Sequence, residues 1–281
     1  MRASRAQAEP APFELSLLGG PWGRRLAPRR RWIDELPWGE APALVAAATP
    51  TVRQVWTSTA FSEYASAAAF AEIAAALLAA GAPIDLVAAA GDFVVDELVH
   101  TEAAARVAAA VGGAVALEVD LGRLVRPPDA TAPLLAAAEL VVRTSCVGEA
   151  LTVPVLKRGR DLAGSALIEQ ALAAIIADEA SHAQLGWWFL DWAAERLDDD
   201  DRAHLGRVAG HALRGFAPLL TAGSCAPSGL GALGCADYDP AFARAAARHV
   251  ARPLAARGIA VPAADLRAVG AELDPEPSLA A

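Results

Sequence analysis

A pattern of ionisable residues that occurs twice in helix-forming sequence constrains this chain more than any other feature. Glu63 is followed 34 residues later by Glu97, within Asp96-Glu97-Leu98-Val99-His100. Glu149 is followed 30 residues later by Glu179, within Asp178-Glu179-Ala180-Ser181-His182. Residues three apart on a helix share a face, so Glu97 and His100 point the same way, as do Glu179 and His182. The apolar periodicity makes that direction inward. One seam reads Ala90, Phe93, Val94, then Glu97 and His100, then Ala104. The other reads Ile168, Leu172, Ile175, then Glu179 and His182, then Gly186 and Phe189. Burying a carboxylate without a partner costs several kcal/mol, and four together repel one another. Two divalent cations in their midst would remove both problems and balance four negative charges. A single Glu-x-x-His is more often an exposed helical pair. Two copies, each following an inward glutamate at similar distance, point to a dinuclear metal site.

The punctuation of the chain supports four long helices. The first is expected from about Val55 to Ala80, closed by Gly81 and Pro83, and the second from about Ile84 to Val111, closed by Gly112-Gly113. The third is expected from about Thr131, with Pro133 in its first turn, to Lys157, and the fourth from about Leu162 to Leu197. Pro154 should kink the third. Short links make each successive pair a hairpin. The link between the second and third helices, nearly twenty residues with Pro127-Pro128, is long enough to run the length of a bundle at about 3.3 Å per residue. The expected fold class is therefore all-α. A four-helix bundle over residues 51–197 has one long crossover, preceded by an irregular arm (1–50) and followed by a helical extension (198–281) packed on the bundle. In that extension Asp198 to Asp201 read as a helix start, and Asp239-Pro240 as another.

Composition removes several classes of function. A net charge of −9 and a pI near 5.1 argue against nucleic acid, whose binders carry a basic face. The longest uncharged stretch, Gly215 to Ala236, is interrupted by prolines and glycines and reads as a loop, so no membrane span is expected. Three cysteines are too few for a disulfide framework, and no apolar leader follows the N-terminal arginines, which suits the cytoplasm. Cys225 and Cys235 flank a glycine-rich loop and could pair under oxidation, with two free thiols the simpler expectation. Trp22, Trp32 and Trp38 are expected to pack the arm on the body. The run Arg29-Arg30-Arg31 could touch an acidic surface.

On Glu63, Glu97, His100, Glu149, Glu179 and His182 the chain resembles the ferritin-like di-iron carboxylate superfamily over about residues 55 to 197. The resemblance implies a ferritin-like bundle in which Glu97 and Glu179 bridge two iron ions. Glu63 with His100, and Glu149 with His182, would complete the two shells. Manganese–iron or di-manganese occupancy would use the same ligands. Both repeats are Asp-Glu-x-x-His. In oxygen-activating relatives an aspartate at this position serves the histidine of the opposite helix, so Asp96 is expected to hold His182 and Asp178 to hold His100. Aryl-amine oxygenases of the superfamily carry a further histidine where this chain has Ile175, which lowers that particular reading.

The function that the resemblance implies first is a non-haem di-iron oxidoreductase. It would activate dioxygen or peroxide to oxidise a small organic substrate held in an apolar cavity. The expected cavity wall is Phe70, Phe93, Cys146 and Ile175. The second reading is a ferroxidase, iron-handling or peroxide-scavenging protein. A bundle kept only as a structural module is the third, and it sits poorly with six retained ligands. The electron donor is not specified by the sequence, and a homodimer is open. Ordinary packing is the simpler role for Tyr64, Trp187, Trp188 and Trp192. His204 and His211 lie two turns apart, too far for one metal.

Overall fold

A computed structural model of the chain describes residues 11–216 and 229–271. It is almost wholly helical. The long elements are α1 (Gly20–Asp34), α2 (Ala41–Ala47), α3 (Pro50–Ala79) and α4 (Ile84–Ala110). Then follow α5 (Pro133–Val141), a π-helical segment (Val142–Glu149), α6 (Ala150–Asp161), α7 (Ala166–Ala193) and α8 (Asp199–Gly215). Beyond the described gap lie α9 (Cys235–Ala245), a second π turn (Ala246–Ala251), α10 (Arg252–Ala255) and α11 (Ala263–Ala268).

Local chemistry sets the ends. Thr49 caps α3 by accepting from the Val52 amide, with Pro50 at the first helical position. The helix closes on Gly81 at φ 63°, where the Ala82 amide reaches back to the Leu77 carbonyl. Asp198 and Asp201 form a reciprocal capping box at the start of α8, so the aspartate run is a cap. By length and composition α3 could cross a bilayer. Its buried residues, however, follow one helical stripe, Val52, Trp56, Ala60, Glu63, Ala67, Phe70, Ile73 and Leu77, and that stripe faces the bundle.

The apolar interior falls into two parts. One joins Phe70, Ile73 and Leu77 of α3 to Leu86 and Phe93 of α4, Leu140 of α5, and Leu185 and Phe189 of α7. The other joins Val52 and Trp56 of α3 to Val107 and Val111 at the end of α4, and Ile168 and Leu172 of α7. Helix α4 ends in the second core and α5 starts in the first, with residues 111–132 connecting them. Arg53 Nε donates to the Gly113 carbonyl (2.8 Å) and the Val115 amide to Thr57 Oγ1 (3.1 Å), which ties that crossover along α3. Its far end is pinned by Glu139, fully buried, which accepts from the amides of Asp129 and Ala130 and lies 2.8 Å from His204 Nε2. Two-residue strands, Ala11–Pro12 and Glu118–Val119, pair antiparallel between the N-terminal segment and the crossover.

Three expectations change. The arm is not irregular throughout, because 15 of its residues form α1. This helix lacks a continuous apolar stripe and contains Pro28. It is held instead by ion pairs to α4 and by Ile33, so periodicity does not show it. Trp32 and Trp38 pack partly against the body as expected, whereas Trp22 stays 65% exposed. The third helix departs from α geometry before Pro154 rather than at it, in the π segment that ends at Glu149. Finally, Cys235 is disulfide-bonded rather than free. The expectation for Cys225, and most of the expected loop from Gly215 to Ala236, lie outside the described residues.

Candidate metal centre

Between the two apolar cores lies a layer of buried carboxylates and imidazoles. Glu63 comes from the middle of α3, Glu97 and His100 from α4, Glu149 from the end of the π segment, and Glu179 and His182 from α7. All six are buried, Glu97, His100 and His182 completely. Each falls where its helix turns an otherwise apolar face to the bundle, which is why the sequence brings the six to one level.

These residues form two quartets. Glu63, Glu97, His100 and Glu179 each offer a ligand atom within 4.8 Å of the others, and so do Glu97, Glu149, Glu179 and His182. Glu97 and Glu179 belong to both. His100 turns Nδ1 towards Glu179 Oε1 (3.3 Å) and Glu63 Oε2 (3.7 Å). His182 turns Nδ1 towards Glu97 Oε1 (3.0 Å) and Glu179 Oε2 (3.1 Å). The opposite nitrogens face the aspartates that precede the two motif glutamates. His100 Nε2 is 3.2 Å from Asp178 Oδ2, and His182 Nε2 is 3.6 Å from Asp96 Oδ2. The first is a hydrogen bond. The second is an ion-pair distance only.

The donor set fits a divalent metal ion. Both oxygens of Glu97 and His100 Nδ1, all turned to the centre, are buried without a hydrogen-bond partner, whereas the unpartnered His182 Nε2 lies on the outer, Asp96 side. Buried polar atoms are normally satisfied, and this many orphans in one layer mark a missing partner rather than a packing fault. Carboxylate oxygen with imidazole nitrogen is a donor mixture suited to a divalent transition metal. The groups of the cluster shift one another's protonation. Burial, reinforced by Glu97 and Glu179, pushes the carboxyls of Glu63 and Glu149 well above the ordinary range. Burial opposes the charging of His182, but Asp96, Glu179 and Glu97 prevail and raise it to about 12. His100 is raised in the same way against burial, by Asp178, Glu179, Glu63 and Glu97. Glu179 is held low against burial by the two histidines.

Among the four expected wall residues, Phe70 and Phe93 reach the centre. Their rings lie 5.3 and 4.3 Å from the His182 ring and 5.4 Å from each other. Ile175 is fully buried one turn before Glu179. Cys146 packs elsewhere, against Gly186, where a Cβ would come within 2.5 Å of its sulfur. Burial raises its thiol far above the ordinary value, so it is a core side chain. Two surface hollows lie on the outer side of α4, one between Pro83, Asp85, Leu86, Ala89 and Trp188, the other along Ala88, Ala89, Gly91 and Asp92. None of the four wall residues borders either hollow.

Sequence reasoning passes over two neighbours. Ser66, one turn after Glu63 on the same face, places its hydroxyl 3.5 Å from Glu149 Oε1. Arg29 places Nη2 3.2 Å from Asp96 Oδ1. The spacing from Glu63 was the available signal for Ser66, whereas nothing along the chain singles Arg29 out of its run. Tyr64 packs edge-on against Phe13, Arg257 lies over Trp187 and Arg196 over Trp192, all ordinary aromatic contacts. No family model, no curated protein and no solved structure matches this chain.

Proposed function

We propose that this chain is a ferritin-like, non-haem di-iron oxidoreductase that activates dioxygen or peroxide. The observation that carries the reading is the pair of buried quartets sharing Glu97 and Glu179. Two sites with two common carboxylates are what a carboxylate-bridged metal pair requires, and four carboxylates neutralise two divalent ions. In this reading Glu97 and Glu179 would serve both ions, with Glu63 and His100 holding one and Glu149 and His182 the other. When bound, the iron pair supplies the electrons that reduce dioxygen or peroxide.

The surrounding residues have their own tasks. Asp178 holds the His100 N–H and so fixes which ring nitrogen faces the centre. Phe70 and Phe93 press on His182 and exclude water from that side. Glu63 and Glu149, the carboxylates that retain slight exposure, are the groups best placed to shift or to exchange a proton.

A small organic compound is the proposed substrate, as the family resemblance implies. The packing of Phe70 and Phe93 on each other and on His182, with Ile175 fully buried, favours a second reading, in which iron(II) or peroxide is itself the substrate. One experiment addresses both levels. Anaerobic protein is loaded with iron(II), its iron is counted, and oxygen uptake is followed with and without candidate organic compounds. About two iron ions per chain, some 3.5–4 Å apart, are expected. One iron or none would sink the di-iron reading. Rapid multiple-turnover oxidation of added iron(II), with no response to organic compounds, would move the function to iron handling and leave the centre standing.

A further inference from the structure

Helix α1 lies on the outer face of α4 and is fastened at several points. Ile33 is fully buried against Val99 and Ala103. Arg30 forks onto Glu102, with Nε and Nη2 each 2.5 Å from a carboxylate oxygen, and Arg106 reaches Asp34 at 2.7 Å. Towards the metal centre the same helix presents Arg29. Its Nη2 lies 2.5 Å from Asp92 Oδ1 and 3.2 Å from Asp96 Oδ1.

Asp96 is thereby shared. One oxygen meets the guanidinium, while the other faces His182 Nε2 at 3.6 Å, beyond hydrogen-bonding reach. The corresponding residue of the other half, Asp178, stands 3.2 Å from His100 Nε2. Among the described residues no lysine or arginine lies within 4.0 Å of it, and Arg29 acts on it only through space, from further away than on Asp96. The two halves repeat in sequence, yet they differ in what holds the imidazole. A carboxylate that accepts the second N–H of a ligating histidine makes the ring a better donor. A carboxylate already neutralised by a guanidinium does this less well.

We propose that Arg29 makes the two metal positions unequal, by drawing Asp96 from His182 so that the Glu149–His182 half binds metal more weakly than the Glu63–His100 half. This inference rests on the two-metal reading above. Arg29 acts as a positioning residue, because it touches neither a metal-facing atom nor a reacting group. It also gives the N-terminal arm a task that no bundle helix performs, which is to break the symmetry of a duplicated site.

The test uses metal affinity rather than turnover. Cobalt(II) is titrated into the metal-free full chain, with binding read by visible absorption and by calorimetry. Wild type should take up two cobalt ions in two resolved steps. Arg29→Gln should tighten the weaker step by about 10-fold, within the range by which such outer carboxylates act, and bring the steps together. Arg29→Lys, keeping the charge, should restore much of the separation. Arg30→Gln, which loosens α1 at Glu102 without touching Asp96, should leave both steps as in wild type. Asp178→Asn should weaken the stronger step and Asp96→Asn the weaker. Arg29→Gln leaving both steps unchanged, or moving both equally, would overturn the inference while the two-metal reading stood. The same effect from Arg30→Gln would also overturn it. Uptake of a single cobalt ion by wild type would end the two-metal reading and this inference with it.

Discussion

Asp178 Oδ2 stands 3.2 Å from His100 Nε2, joining α7 to α4 across 78 residues of chain, while His100 Nδ1 faces Glu179 and Glu63. One ring nitrogen is thus committed to an aspartate and the other to the centre, which orders the residues by their distance from the candidate metal site. Changing Glu97 or Glu179 to alanine removes a donor from both quartets and should abolish binding of the pair. Changing Asp178 to asparagine should lower affinity by about 10–100-fold and leave the stoichiometry intact. Calorimetric titration with a divalent metal distinguishes the two, and equal losses would mean that the glutamates are not the shared ligands.

The protonation of the stripped centre gives a dependence on pH. A group whose pKa is higher in the folded than in the unfolded chain stabilises fully below the unfolded value and ceases to do so as pH rises through the folded one. For His182 this window runs from 6.5 to about 12. For Glu63 and Glu149 the loss begins above 4.5. Glu179, held low, has the opposite sign, but its contribution is already complete above 4.5. Metal-free protein should therefore melt several degrees lower at about pH 9 than at about pH 6. Metal requires the deprotonated ligands, so its affinity should rise over the same range. Thermal melts with and without metal check both slopes, and a metal-free midpoint that climbs with pH would contradict the assignment.

Gly186 permits α7 to lie against the π segment, since a Cβ there would meet Cys146 Sγ at 2.5 Å and Ser145 Cβ at 3.0 Å. Gly186→Ala should destabilise the protein by about 1–3 kcal/mol in denaturant melts, despite alanine's higher helix propensity. Adding Cys146→Ala should recover part of that loss. A stabilised single variant would show that the two backbones do not approach this closely.

Glu139 has no part in the centre but secures the crossover. Glu139→Ala would remove the acceptor of the part-buried amides of Asp129 and Ala130, at about 0.5–1.5 kcal/mol each where water can take its place. The expected outcome is a clear fall in stability, with faster hydrogen exchange at those amides and an unchanged number of bound metals. Loss of metal along with stability would place the crossover in control of the centre.

The long helices and the buried Glu/His layer are legible in the sequence because each obeys a short-range rule. Glu97 and His100 share a face by spacing, Gly81 and Gly112 end helices by backbone freedom, and Phe93 and Ile175 mark the inward direction. What is not legible depends on distant encounters. Arg29 is one arginine among neighbours of the same kind, and only the docking of α1 selects it for Asp96. Helix α1 itself lacks the apolar stripe that reveals a helix, because ion pairs to α4 replace it. Cys146 lies one turn before Glu149 by α-helical counting, but the intervening π segment alters that register and its sulfur packs on Gly186. Glu139 has no sequence signal, since its partners are a loop from its own flank and a histidine 65 residues away.

The polar layer that separates the two apolar cores also governs how the protein comes apart. Each core draws on α3, α4 and α7, so either could persist for a time after the other has opened. Charged ligands between them provide little cohesion of their own, whereas a bound metal pair would rivet four helices at mid-length. Filling the layer would thus join two semi-independent regions into one cooperative unit, and emptying it would leave a bundle able to fray from either end.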